Sequence, residues 1–246
     1  RTAQSEARHF WFRGLRAFVK PLLERATAEC SSARILDCGC GTGANLELLG
    51  GFGRAYGFDL SEAGLRAGRK TGRTRTVRAS VTAAPFPSQA FDVVTSLDVL
   101  YALDPPSERQ ALAEMYRLLK PGGFAIINVA AVDALRGDHS ILSHELRRYR
   151  PRELRARLVE AGFIVVRLTY TYFTIFLPLL ALRTFQRTRG LKREQEAGRE
   201  ISVPGEPANA ILSGLMRLES LWLRFMDEPI GSSLLCLARK PVEART

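Results

Sequence analysis

The stretch Ile35-Leu36-Asp37-Cys38-Gly39-Cys40-Gly41-Thr42-Gly43-Ala44-Asn45 decides how this chain is read. A short apolar run from Arg34 to Leu36 meets three alternating glycines, and a helix-like segment from Asn45 to Leu49 follows. This is the pattern of a strand entering a tight turn that opens a helix N-terminus. Glycines there let the backbone approach a ligand and present unpaired N–H groups to it. The stretch also satisfies the dinucleotide pattern G-x-G-x-x-G/A through Gly39, Gly41 and Ala44, with Asp59 at roughly the distance of a ribose-binding acid. A nucleoside-bearing ligand is expected, and its kind stays open at this point.

Working outward, residues 6–26 read as an amphipathic helix carrying Phe10, Leu15, Phe18, Val19 and Leu22 at helical spacing despite Pro21. Strands are expected at 34–38, 55–59, 76–79, 91–96 and 124–129. Ser61 caps a helix over 62–70. Pro105-Pro106 starts a helix over 107–119, which Lys120-Pro121-Gly122-Gly123 breaks. Strands alternating with helices predict a doubly wound α/β fold, a parallel sheet covered on both faces. Ligands bind such sheets at the carboxyl ends of the strands. That rule gathers Asp37 to Gly43, Asp59, Ser80 and Ser96 to Tyr101 around one crevice.

Beyond Val129 the pattern changes. A polar loop over 130–150 holds Asp138, His139, His144, Glu145, Arg147, Arg148 and Tyr149. A helix over 152–161, a sixth strand over 163–168 and a last strand over 231–240 complete the sheet. Between those two strands lies an insertion with an uncharged stretch (168–182), an arginine-rich stretch (183–207) and a helix (208–226). The uncharged stretch is shorter than the ~20 residues of a spanning helix and is interrupted by Pro178, so it reads as a pocket wall or an interfacial segment. In the helix, Ile211, Leu215, Leu218, Trp222 and Phe225 line one face. At about 100° per residue Glu219 falls within that apolar arc, where a carboxylate needs a partner, either an arginine or a role in the site.

The formal charge of +11 and pI of about 10.1 admit nucleic acid, an anionic membrane surface or simple arginine-rich codon usage. No basic run is interleaved with aromatics as in a single-strand binder, so nucleic acid is the least favoured partner. Cys30, Cys38, Cys40 and Cys236 form no C-x-x-C, and no metal site is expected. Free thiols point to a reducing compartment, hence the cytoplasm. The sequence opens on Arg1 rather than Met, as expected of a chain lacking its start segment, and no signal peptide is visible.

Asp37-Cys38-Gly39-Cys40-Gly41-Thr42-Gly43, Gly57-Phe58-Asp59-Leu60-Ser61, Pro85-Phe86, Phe91-Asp92-Val93-Val94 and Leu118-Leu119-Lys120-Pro121-Gly122-Gly123 occur in order. Together they resemble a class I S-adenosylmethionine-dependent methyltransferase of the type 11 kind. The acid before Cys38 and the Leu-Lys-Pro-Gly-Gly turn lie outside the dinucleotide fingerprint, so the oxidoreductase reading recedes. The resemblance implies a Rossmann-like, seven-stranded, mostly parallel sheet with an antiparallel last strand and a helical insertion between strands six and seven. It divides the chain into a lid helix (1–30), a cofactor-binding core (31–169 with 230–246) and a pocket-forming or membrane-facing insertion (170–229).

By the same resemblance Gly39, Cys40, Gly41 and Gly43 pass under the methionine half of the cofactor, with Asp37 near its amino group. Asp59 accepts from the ribose hydroxyls, and Leu60 packs on adenine. Ser80 and Val81 stand where relatives usually place an aspartate contact to adenine, and Leu97 and Asp98 lie near the sulfonium. Where relatives carry Glu-His, this chain has Tyr101-Ala102. Further motifs (His9 to Arg13, Arg147 to Tyr149, Ile175 to Pro178, Pro229 to Ser233) resemble a bacterial methyltransferase group often associated with cell-envelope or glycan genes. By analogy Trp11 walls the cofactor, and Arg13 or Arg16 pairs with the methionine carboxylate.

Methyl transfer is in-line displacement at a sulfonium, so alignment and a dry site dominate. A hydroxyl acceptor also benefits from a base, for which His139, His144 and Asp138 are candidates. Arg147, Arg148, Tyr149, Tyr101, Tyr172 and Glu219 are candidate substrate contacts. The expected activity is methylation, foremost O-methylation, of a small-molecule or lipid- or glycan-linked acceptor. A cofactor-binding protein without catalysis, serving a partner at the membrane, and an RNA methyltransferase are the alternatives.

Overall fold

A computed structural model describes residues 8–136, 145–188 and 204–242 of the chain. Seven strands form one sheet: β1 (Ala33–Cys38), β2 (Gly53–Asp59), β3 (Thr76–Arg78), β4 (Phe91–Leu97), β5 (Leu119–Ala130), β6 (Ile164–Thr171) and β7 (Ser233–Arg239). Their order is β3-β2-β1-β4-β5-β7-β6. The first five pair in parallel, while β7 runs antiparallel to both β5 and β6. The chain winds outward from β1 to β3, then returns to β4 on the other side of β1. The carboxyl ends of β1 and β4 thus border the switch point where open α/β sheets bind ligands.

Central strands are apolar on both sides because both faces are covered. On one face Leu36, Val94, Ala125 and Ile127 pack under α4 (Pro105–Leu118) and α5 (Pro151–Glu160), meeting Leu112, Met115, Leu154 and Leu158. On the other face Ile35, Val93, Ile126, Leu235 and Leu237 meet α1 (Phe10–Thr27) through Leu15, Phe18, Val19 and Leu22. The helices α2 (Leu46–Gly50) and α3 (Glu62–Arg69) complete the first two crossovers.

Lys120-Pro121-Gly122-Gly123 breaks the helix as the sequence suggests, yet β5 already includes it. Gly122 adopts φ +80°, and the β4–β5 register shifts between Phe91 and Val93. The turn is therefore a bulge within the strand.

The insertion holds α6 (Phe176–Thr188) and α7 (Glu206–Trp222). α7 runs parallel to α1. Arg8 pairs with Glu206, Phe10 N–H donates to Asn209 Oδ1 at 2.9 Å, and Arg224 lies 3.7 Å from Glu24. Gly14 makes this approach possible, since a Cβ there would stand 2.9 Å from Met216 Cγ. Most of the expected apolar face of α7 is turned outward: Ile211, Leu218, Trp222 and, past the helix end, Phe225 are exposed and Leu215 is half-buried against the core, while Asn209, Ser213, Met216 and Glu219 are buried. Helical periodicity identifies residues that share a face. It does not say which face meets the core.

Candidate functional site

Three strand ends build the site. At the end of β1, Gly39 and Gly41 take φ values of +82° and +54°. A Cβ on Gly39 would come 2.5 Å from Val99 Cγ2, whereas one on Gly41 would meet nothing within 4 Å. The loop is thus tight on its inner side and open on its outer side, as a ligand cradle must be.

Asp37 ends β1 almost wholly buried. Its Oδ1 accepts from Thr95 Oγ1 at 2.7 Å, while Oδ2 is buried without a hydrogen-bond partner among the described residues. Burial pushes this carboxyl up to about 6, against the lowering effect of the Thr95 hydroxyl. Asp59, at the end of β2, accepts from Gly41 N–H and Ser61 N–H, both at 2.7 Å. It thereby ties the glycine loop to the neighbouring strand, with acceptor capacity remaining on both oxygens. Leu60 beside it is exposed. Ser80 is half-buried next to Val81, and its hydroxyl lies 2.8 Å from that of Thr82.

At the end of β4, Leu97 is buried and Asp98 adopts φ +63°. Asp98 Oδ1 accepts from Asn128 Nδ2 at 2.8 Å. Burial raises its carboxyl to about 6; Asn128 lowers it, Glu145 raises it and Arg148 lowers it. Cys38 and Cys40 are buried thiols pushed up by burial and by Asp37, so they act as apolar filler.

Several residues expected at the substrate prove to be structural. Arg147 donates to the fully buried Glu108 at 2.7 Å and to Leu103 O at 2.7 Å. Tyr149 donates its hydroxyl to the other Glu108 oxygen at 2.8 Å. Arg148 is held by both oxygens of Glu145, at 2.6 and 3.0 Å, and donates to Ala131 O at 2.9 Å. Anion binding by this arginine pair is therefore corrected: their donors face buried acids and carbonyls. Tyr101 is buried in the core under β4.

Tyr172 is fully buried, stacks on Trp11 at 3.9 Å and donates to Trp11 O at 2.8 Å. Trp11 thus packs on this tyrosine, closing α1 over the end of β6. Arg16 lies beside Tyr172 and lines, with Arg13, a groove between α1 and α7.

Glu219 finds neither an arginine nor a substrate. Its carboxylate accepts from Phe173 N–H, Thr174 N–H and Thr174 Oγ1 at 3.1, 3.0 and 2.6 Å, capping the turn before α6. Beside it Glu228 is buried with both oxygens lacking hydrogen-bond partners among the described residues. Burial and the neighbouring Glu219 carboxylate raise Glu228 to about 9, so Glu228 is protonated at neutral pH. Asp138, His139 and His144 lie outside the described residues. Among the described residues no cluster of His, Cys, Asp and Glu forms a metal site.

A buried carboxylate at β1, a second acid at β2 and an open glycine loop between them define a fold and site for an adenosine-bearing cation. Residues 36–127 match the family model described as "Methyltransferase domain". Residues 36–127 thus carry a class I S-adenosylmethionine-dependent methyltransferase domain.

A ubiquinone/menaquinone biosynthesis C-methyltransferase, UbiE, of Escherichia fergusonii is 33% identical over 125 residues, covering 44% of this chain and 49% of that protein. A demethylmenaquinone methyltransferase of Clavibacter sepedonicus is 37% identical over 109 residues, covering 42% and 43%. The match thus spans about half the length of these relatives or less. Among solved structures, a Haloferax volcanii putative methyltransferase in complex with the activator Trm112 superposes with TM-score 0.59 at 20% identity, covering 98% of this chain and 94% of that one. The cyclase SpnF superposes at 0.58 and 22% identity, covering 92% and 81%. A fold shared with a cyclase shows that architecture alone does not fix the reaction.

The cofactor of such a domain is S-adenosylmethionine, and the residues present fit it. The orphaned Asp37 Oδ2 needs a donor, as an amino group supplies. Asp59 retains lone pairs for a diol, and exposed Leu60 offers an apolar surface to a purine.

Proposed function

We propose that this protein moves a methyl group from S-adenosylmethionine to a hydroxyl of a small-molecule or lipid- or glycan-linked acceptor. The observation that carries the reading is the placement of Asp37, with its orphaned oxygen, and Asp59 on either side of the open glycine loop. When bound, the cofactor supplies an electrophilic methyl group on a sulfonium. The chain's own contribution is alignment: Asp37 and Asp59 hold two ends of one ligand by charge-assisted hydrogen bonds.

Asp98 sits at the end of β4, pinned by Asn128, with a carboxyl near 6. At neutral pH it is ionised and placed to take a proton from an acceptor hydroxyl, which is where a base contributes. This favours an oxygen acceptor, although the UbiE relative is named a C-methyltransferase of ubiquinone/menaquinone biosynthesis. The four cysteines are free, which suits a cytoplasmic protein.

The test is transfer of labelled methyl from the cofactor to a panel of phenols, hydroxylated lipids and glycolipids. Base-resistant label on an ether oxygen is expected. Label on carbon alone would overturn the oxygen assignment, and tight cofactor binding without transfer to any acceptor would favour the non-catalytic reading.

A further inference from the structure

α7 packs through a mixed face, with Met216 in the core and Leu212 and Leu215 half-buried against it. Asn209, Ser213, Met216 and Glu219 are buried, with Ser213 and Met216 lining the groove against α1. At about 100° per residue, Ile211, Leu218 and Trp222 form a single stripe on the opposite side, and Phe225 follows in the turn just past the helix end. They are 66%, 64%, 56% and 86% exposed. Arg217 stands on one edge between the two faces, and Arg224, 3.7 Å from Glu24, follows in the turn after the helix. A contiguous apolar stripe left in water marks an interaction surface.

We infer that this stripe docks the protein on an anionic phospholipid bilayer. α7 lies in the interfacial plane, Trp222 and Phe225 reach the acyl boundary, and the flanking arginines meet the phosphates. Charge favours this occupant. The chain carries +11 overall, and the groove between α1 and α7 adds Arg13 and Arg16 to Arg217 on the same helix pair. An apolar stripe with tryptophan, edged by arginine on a helix of high amphipathicity, is the composition of interfacial helices. Among the described residues no helix is long and apolar enough to cross a membrane, so the contact is peripheral. The inference stands independently of the transfer reaction proposed above, and its test uses no cofactor.

The experiment is sedimentation of the full chain with vesicles of phosphatidylcholine alone and of phosphatidylcholine with phosphatidylglycerol in equal parts. The protein should pellet with the anionic vesicles at low salt, remain in the supernatant with the neutral ones, and be released by added salt. Replacing both Leu218→Ser and Phe225→Ser should weaken partition roughly tenfold or more. Arg217→Ala should weaken it about fivefold. In a Trp11→Phe background the emission of Trp222 should shift to the blue on vesicle addition, a readout that needs no further variant. Full recovery in the supernatant, an undiminished double variant or an unshifted Trp222 would overturn the inference. So would neutral vesicles binding as well as anionic ones, or a stable dimer by light scattering that the double variant dissolves.

Discussion

The crevice at the ends of β1, β2 and β4 and the helix pair α1–α7 lie on the same molecule under opposite rules. In the crevice, buried polar atoms lack protein partners where a ligand supplies them: Asp37 Oδ2 is the clearest case. Along α1–α7 the buried Asn209 and Glu219 find partners, Ser213 Oγ has none among the described residues, and most of what is left over is apolar. An unsatisfied polar atom points to a small ligand. An unsatisfied apolar stripe points to a surface. Beside both, Arg147 paired with Glu108 and Arg148 paired with Glu145 form a wall of buried ion pairs.

The largest expected effect tests that wall. Arg147→Ala would leave Glu108 fully buried without its 2.7 Å ion pair, and breaking such a pair costs about 3–5 kcal/mol. Denaturant unfolding should show that loss. A change under 1 kcal/mol, together with a weakened acceptor KM, would return Arg147 to the substrate.

Next is Asp98→Asn, which should lower kcat about a hundredfold with little change in cofactor binding or melting temperature. In the parent enzyme the rate should fall as pH drops below about 6, where Asp98 takes up its proton, and the variant should lose that limb. A pH profile shared by both proteins would remove Asp98 from the proton transfer.

The last effect, spread over several pH units, separates the helix pair from the crevice. Glu228 in the fold lies near 9, above the ordinary 4.5. Its stabilising contribution is thus complete below the unfolded value and declines as pH rises toward 9. Glu228→Gln should therefore be more stable than the parent above pH 5, the gap widening by at most about 1.4 kcal/mol per pH unit until pH reaches about 9. Methyl transfer should stay unchanged. Melting curves at several pH values check this, and a constant gap would show that Glu228 is not the titrating group.

Sequence and structure agree where the information is local. The strand, glycine turn and closing acid at Asp37 to Gly43, and the acid at Asp59, fix backbone shape and charge within a few residues, and the parallel layered architecture follows from alternating elements. Thr95 and Asn128 were legible in principle as polar interruptions of the apolar strands β4 and β5. Other partners were not. Glu108 and Arg147 are 39 residues apart, and nothing in either segment announces the other. A loop arginine reads alike whether it faces solvent, substrate or a buried acid. α7 shows the same limit in a helix, because its periodicity is satisfied equally by an inward or an outward apolar face.

The central claim is that the β1–β2 crevice holds S-adenosylmethionine through Asp37 and Asp59. The most direct measurement is thermal melting of the intact chain with micromolar S-adenosylhomocysteine, alongside Asp59→Ala. A raised melting temperature for the parent and none for the variant is the predicted result; an unchanged parent curve would contradict it.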